Sequence, residues 1–154
     1  MFRIYLAGPI SGLNHSESVS WRERITENFR RFSNEITCLS PMRAKDKLKD
    51  EGIITNSYEK YGCLYSSRGI MSRDFNDCTT SDLVIYNLLN AKTASIGTMM
   101  ELAWNYQAKI PTVVIMEKTG NVHDHPMVRE AINFHVSSIE EAVAVALTVL
   151  HPES

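Results

Sequence analysis

Glu101 closes the segment Ser95-Ile96-Gly97-Thr98-Met99-Met100-Glu101, which follows the apolar run Asp82-Leu83-Val84-Ile85-Tyr86-Asn87-Leu88 and opens a helical pattern. This order of strand, small residues and helix puts a carboxylate in the first turn of a helix, at the carboxyl end of a strand. Open α/β sheets keep their ligands at that end, and small residues at the junction let a ligand approach the backbone closely. Tyr5, near the end of the first apolar run, would share the same crevice. Asp74 and Asp77 precede the Asp82 strand, and only a folded helix could bring one of them to that place.

The elements that must position these groups are read from the apolar pattern. Phe2 to Ala7 is a strand closed by Gly8-Pro9, and Ser11 to His15 is a loop. A helix follows, with Val19, Ile25, Phe29 and Phe32 as its apolar stripe and Arg22, Arg24, Glu27 and Arg30 toward water. Glu35 to Leu39 is a second strand, ended by Ser40-Pro41. Met42 to Ser67 is weakly patterned, with charged residues from Lys45 to Glu51 and tyrosines at 58, 61 and 65, and reads as a lid or insertion. Gly69 to Ser81 is a helix feeding the strand Asp82 to Leu88, and Gly97 to Gln107 is the next helix. Ile110 to Met116 and Asn133 to Val136 are the last strands. Ser138 and Glu141 form a capping-box signature ahead of the apolar helix Ala142 to Leu150.

Strands alternating with helices, joined by right-handed crossovers, predict an α/β fold: a flavodoxin-like or Rossmann-like three-layer sandwich around a five-stranded parallel sheet in the order 2-1-3-4-5. In that order the loops Gly8 to Gly12 and Asn90 to Gly97 flank the switch point and face one crevice.

Composition narrows the function. The 154 residues are expected to form a single domain, 1–154, large enough for a core without staples. Sixteen basic and 18 acidic residues give a net charge of -2, which argues against a nucleic acid polymer as partner. The three cysteines, Cys38, Cys63 and Cys78, lack C-x-x-C spacing, which points to a reducing compartment, the cytoplasm, and away from disulfides and zinc. The five histidines lack ligand spacing, so no metal is expected. No run approaches the roughly 18 apolar residues of a membrane span, and the amino terminus runs straight into a strand without a signal-peptide pattern, so no membrane partner is expected.

Four stretches then carry a resemblance: Tyr5-Leu6-Ala7-Gly8-Pro9, Asp74 eight residues ahead of Asp82, Gly97-Thr98-Met99-Met100-Glu101-Leu102-Ala103-Trp104, and Lys109-Ile110-Pro111-Thr112-Val113. Together they resemble the nucleoside 2-deoxyribosyltransferases and the related nucleoside 5'-monophosphate N-glycosidases over most of the chain. The resemblance implies cleavage of an N-glycosidic bond in a nucleoside or nucleoside monophosphate, without a cofactor. Glu101 would attack C1' and form a glycosyl ester, Asp74 would assist proton transfer at the leaving base, and Tyr5 would orient the nucleophile. The (deoxy)ribosyl group would pass to an acceptor nucleobase or to water. Gly8, Pro9, Ile10, Ser11, Ser95, Gly97 and Thr98 would bind substrate. Relatives assemble as dimers or higher homo-oligomers, so a second subunit would complete the site from 125–138, with Asn133 and Ser137 as its polar groups. The helix amino terminus would keep Glu101 ionised, and the two carboxyl pKa values would be pushed apart.

Two departures bear on the substrate. Ser95 stands six residues before Glu101, where the enzymes of free nucleosides usually carry an aspartate. A serine there resembles the monophosphate hydrolases, because a hydroxyl donates to phosphate where a carboxylate repels it. Ser11 stands where those hydrolases carry an arginine, which leaves Arg22, Arg24 or Arg43 to compensate. The rival reading is a non-catalytic nucleotide-binding or signalling module on the same sheet. Against it, Gly8 to Gly12 has neither the acids of a receiver domain nor the hydroxyl-rich loop of a flavodoxin, and no G-x-G-x-x-G or Walker lysine is present. The blander expectations are a solvated Asp77, an Asp82 that caps the helix-to-strand junction, and lid tyrosines that serve as core or interface.

Overall fold

The computed structural model describes residues 1–151; residues 152–154, the end of the expected domain, lie outside the described residues. In chain order the elements are β1 (Phe2–Ala7), α1 (His15–Phe32), β2 (Ile36–Leu39), α2 (Ser67–Thr79), β3 (Leu83–Asn87), α3 (Ile96–Ala108), β4 (Thr112–Ile115), α4 (Pro126–Ala131), β5 (Phe134–Val136) and α5 (Ile139–Leu150). The five strands pair in parallel in the order β2-β1-β3-β4-β5, as the alternation predicts.

Strand side chains alternate between two cores, and this alternation decides which residues can reach the crevice. Ile4, Leu6, Leu83 and Ile85 point to the face covered by α1 and α5, where Ile25, Phe29, Ala142 and Ala146 meet them. Tyr5, Ala7, Val84 and Tyr86 point to the other face, against Cys78 of α2 and Leu102 of α3. Tyr5 is thereby placed under the helix that carries Glu101. Asp82 accepts the Arg3 N–H at 2.7 Å, one residue before β3 begins.

Three expectations from the apolar pattern are corrected. Arg22 does not face water: it is 2% exposed, because its guanidinium donates to the carbonyls of Leu6 at 3.0 Å, Gly8 at 3.1 Å and Ser18, where β1 leaves the sheet. Phe32, assigned to the stripe of α1, is 69% exposed at the helix end. Asp77 is 2% exposed and ion-pairs with Arg43 at 2.5 Å, so its charge is met by a cation from the 40–45 turn rather than by solvent. The short helix α4 has no counterpart in the sequence reading. Its start uses Pro126 and a histidine cap, with His125 Nδ1 accepting the Met127 N–H at 3.2 Å.

The weakly patterned segment folds as three single helical turns, Asp46–Asp50, Glu59–Tyr61 and Cys63–Tyr65, over a small core of Met42, Leu48, Ile54 and Tyr65. It is pinned to the loop after β1 by a bridge in which Gly12 N–H donates to Ile54 O and Ile54 N–H to Leu13 O, both at 2.8 Å. Tyr65 is core, and Tyr58 and Tyr61 stack half-buried above it. No helix among the described residues is long and apolar enough to cross a membrane.

Candidate active site

The crevice begins at Gly8. A Cβ there would lie 2.7 Å from the Asn87 carbonyl oxygen and 3.1 Å from the Trp21 ring, so only glycine lets the ends of β1 and β3 close on one another. Beyond this contact the two loops part around a cavity of about 350 Å³. Gly8, Pro9, Ile10 and Ser11 form one wall, Ser95, Gly97 and Thr98 another, and Asp74 and Glu101 both reach it. Thr93, Ala94, Ile96, Asn56 and Ile70 also line it and were not singled out in the sequence. The segment between β2 and α2 supplies Asn56, whose Oδ1 accepts the Ser11 hydroxyl at 2.8 Å.

Tyr5 lies beneath the floor, fully buried, and its hydroxyl donates to Glu101 Oε1 at 2.8 Å. Glu101 is 8% exposed. Because α3 begins at Ile96, Glu101 sits in the second turn rather than the first, beyond the short reach of the free N–H groups of the helix end. Burial therefore wins over the helix field. It pushes the Glu101 carboxyl up to about 8, with the negative charge of Asp74 adding to the rise and the Tyr5 hydrogen bond, Arg22 and Lys45 opposing it. Asp74 is also raised, first by burial, against the pull of Lys45, Arg73 and Arg43. The expectation of an ionised Glu101 is thus corrected: both carboxyls are driven toward the protonated form.

The second carboxylate is held by a charged joint between α2 and the 40–45 turn. Arg73 donates to the carbonyls of Arg43, at 3.0 Å, and of Pro41, while its Nε lies 3.7 Å from Asp74 Oδ1. This joint carries Lys45, 4% exposed, into a side cavity of about 80 Å³ that it shares with Asp74. Burial lowers the Lys45 ammonium to about 8 even beside that acid. Lys45 escaped the sequence reading because it stands in an ordinary charged run, and nothing local marks it as buried.

Of the three arginines considered for an anion, Arg22 is committed to carbonyls, Arg24 to Glu140 and Arg43 to Asp77. Ser95 caps α3: its hydroxyl accepts the Thr98 N–H at 3.4 Å and lies 2.9 Å from Thr98 Oγ1. Asn133 is the candidate residue that the fold does not bring to the crevice. It stands just before the edge strand β5, at the amino end of the sheet, where its Oδ1 accepts the Thr112 N–H at 3.0 Å. Ser137 donates its N–H to Glu141 at 2.8 Å.

The Tyr5–Glu101 contact yields a first prediction. A hydrogen bond to a charged group is worth about 1.5 to 3 kcal/mol, or roughly one to two pH units of carboxyl pKa. Tyr5→Phe removes a group that favours the ionised Glu101, so the pH at which this carboxyl loses its proton is expected to rise by that amount. Titration of Glu101 by carboxyl-carbon NMR measures it, and an unmoved midpoint would contradict the contact.

No family model and no curated protein matches the sequence. Solved structures match the fold. A conserved protein from Enterococcus faecalis V583 superposes with a TM-score of 0.66 at 20% identity, over 94% of this chain and 96% of that one. A 2-deoxyribosyltransferase from Leishmania mexicana gives 0.60 at 16% identity, over 98% and 99%. A CMP N-glycosidase from Clostridium botulinum gives 0.53 at 12% identity, over 94% and 96%. With its 2-1-3-4-5 parallel sheet and its flanking helices, the chain has the fold of the nucleoside 2-deoxyribosyltransferase family.

Proposed function

We propose that this protein cleaves the N-glycosidic bond of a (2'-deoxy)nucleoside or its 5'-monophosphate through a covalent glycosyl-Glu101 intermediate, within a single domain over 1–154. The observation that carries the reading is the buried Tyr5–Glu101 hydrogen bond at the floor of a crevice that Asp74 also lines. With Tyr5 on Oε1, Oε2 is the oxygen left to attack C1'. As that bond forms, the C1'–N bond breaks, its electron pair leaves with the base, and the Asp74 carboxyl gives the base its proton. A water or an acceptor base then attacks C1' from the vacated side. Asp74 takes the proton of that nucleophile, and the ester bond breaks to restore the Glu101 carboxylate.

The raised pKa values fit this sequence of events. Each turnover needs one proton on the pair near neutral pH; burial favours it on Glu101, so turnover runs through the form in which that proton has passed to Asp74 and Glu101 is bare. The names of the Leishmania and Clostridium structures, a deoxyribosyltransferase and a CMP N-glycosidase, support the same bond as the target. The test is to incubate the protein with a panel of nucleosides and nucleoside 5'-monophosphates, with and without a second free base, and to measure base release and exchange. No release from any member would overturn the reading.

Where the substrate carries a phosphate, the amino end of α3 is its natural seat. The first N–H groups of a helix lack partners within it, and Ser95, Gly97 and Thr98 line the crevice at that point. Ser95→Asp is the informative variant, because aspartate caps a helix as well as serine and leaves α3 intact. Against a phosphate dianion its carboxylate replaces an attractive hydrogen bond by repulsion. Turnover of monophosphates is expected to fall by roughly ten- to a hundredfold, and turnover of free nucleosides to fall less. Equal losses on both would remove Ser95 from phosphate recognition.

A homo-oligomer in the cytoplasm completes the proposal. The face of α3 turned away from the crevice joins α4 in an apolar groove with Met99, Ala103 and Met127, beside which Tyr106 is 66% exposed and Met127 itself 76%. A second copy seated there would bury it, and 125–138 is the segment we propose reaches the other subunit's site. Sedimentation equilibrium is expected to give a dimer or larger; a fully active monomer would contradict it. The three cysteines are free thiols.

A further inference from the structure

We propose that His123 is a positioning residue of this site: as a neutral imidazole it holds the Ser95 peptide, and with it the 93–98 turn, in the conformation that receives substrate, and its protonation releases the turn. The inference rests on the function proposed above for what it says of turnover, and on geometry alone for what it says of the turn.

His123 is 3% exposed in the loop after β4, and its Nε2 accepts the Ser95 N–H at 2.8 Å. Its other nitrogen, Nδ1, lies 3.1 Å from Asn121 Oδ1, which also accepts the His123 N–H at 2.9 Å. The orientation of the Asn121 amide is set independently. Its Nδ2 donates to Leu88 O at 2.7 Å and to Glu117 Oε2 at 2.6 Å, so the oxygen must face the imidazole. An oxygen can only accept, so Nδ1 carries the proton and Nε2 is left bare for Ser95. The two contacts demand the same tautomer.

The wider network shows what the contact holds. Glu117 Oε1 accepts the Asn90 N–H at 2.7 Å, so the loop after β4 grips the loop after β3 at Leu88 and Asn90 as well as at Ser95. Between these grips lie Thr93 and Ala94, which line the crevice with Ser95. Protonation at Nε2 would turn the acceptor into a donor and set two N–H groups against each other, and the turn would have to leave.

The surrounding charges do not compete for this role. Glu117, on the same loop, is engaged by Asn121 and Asn90, with Lys92 from the β3–α3 loop as a nearby cation. Asp124 is held by Arg129 of α4 at 2.5 and 2.6 Å, and His135 of β5 acts on Asp124. Burial is what lowers the imidazole below its ordinary value, so the neutral form prevails at neutral pH and the switch lies below about 6.5.

The test combines a readout that needs no substrate with one that does. Hydrogen exchange at the Ser95 amide, corrected for its intrinsic pH dependence, is followed from pH 7.5 to 5 while the imidazole nitrogen shifts report His123 in the same samples. Exchange is expected to accelerate about tenfold or more as His123 takes up its second proton; a Ser95 amide that stays protected beside a protonated His123 overturns the proposal. His123→Gln keeps an acceptor oxygen for Ser95 but cannot titrate. With the panel compound that is turned over fastest, the wild-type KM is expected to rise about three- to tenfold below the His123 transition. The KM of His123→Gln should stay level there, while kcat in both follows the Glu101–Asp74 pair. The same KM rise in both proteins overturns the proposal. If no panel compound is turned over, the glycosidase reading has failed, and the exchange experiment still decides the role of His123.

Discussion

Glu101→Gln is expected to lower turnover by at least about a thousandfold while making the protein more stable at alkaline pH. The loss follows from removing the attacking oxygen, since an amide cannot form the glycosyl ester. The gain follows from linkage. In the unfolded chain this carboxyl ionises near 4.5, whereas in the fold it holds its proton up to about 8. Between those values the unfolded state gains free energy by ionising and the folded state does not. The stability of the wild type therefore falls as pH rises through that window. Glutamine has no proton to lose, so the variant should match or slightly trail the wild type near pH 4 and exceed it at pH 8. For a chain of this size, ~1 to 3 kcal/mol corresponds to roughly 2 to 12 °C in Tm. Paired thermal melts at the two pH values, with base release measured alongside, check both halves. A glycosyl adduct trapped on another residue would sink the assignment, and a Tm gain that is the same at both pH values would remove the raised carboxyl pKa.

Asp74→Asn is expected to cost about a hundredfold or more with ordinary leaving bases and much less with activated ones, because only the former need a proton as the C1'–N bond breaks. The pH profile should change in a direction that the electrostatics fix in advance. The wild type needs a single proton on the pair, so its activity rises as the first proton leaves and falls as the second does. In Asp74→Asn the first proton can leave only from Glu101, which ionises against the same burial beside a neutral neighbour, so the rising limb should stay in place or move to higher pH. With no second carboxyl to lose its proton, the falling limb should disappear. An equal loss for both kinds of leaving group, with the bell intact, would make Asp74 a positioning group instead.

The order of elements was legible in the sequence because strand and helix periodicity are local. β1 spans the residues read as apolar, and α2 and α3 begin within two residues of where the pattern starts them. The 2-1-3-4-5 order follows from that alternation and the handedness of its crossovers. It brings the loops after β1 and β3 together, so Gly8, Ser11, Ser95 and Thr98 share one cavity with Glu101. Asp74 and Asp77 show where the local reading ends. They stand three residues apart on α2 with the same side-chain chemistry, yet one lines the crevice and the other is sealed against Arg43.

By itself, then, the sequence determined the layer order of the fold and the end of the sheet at which a ligand must sit, because side-chain alternation and chain chirality act over neighbouring residues. Only the tertiary structure decided the charge states and partners inside. Arg22 turns inward because three carbonyls at the end of β1 and in α1 await its guanidinium. His123 is fixed as a bare acceptor by an asparagine whose own amide is committed to β3 and its loop. Glu101, read as an acid that its helix keeps ionised, is instead held protonated to about 8. Desolvation sums over atoms contributed by segments far apart in the chain, and no local pattern records that sum.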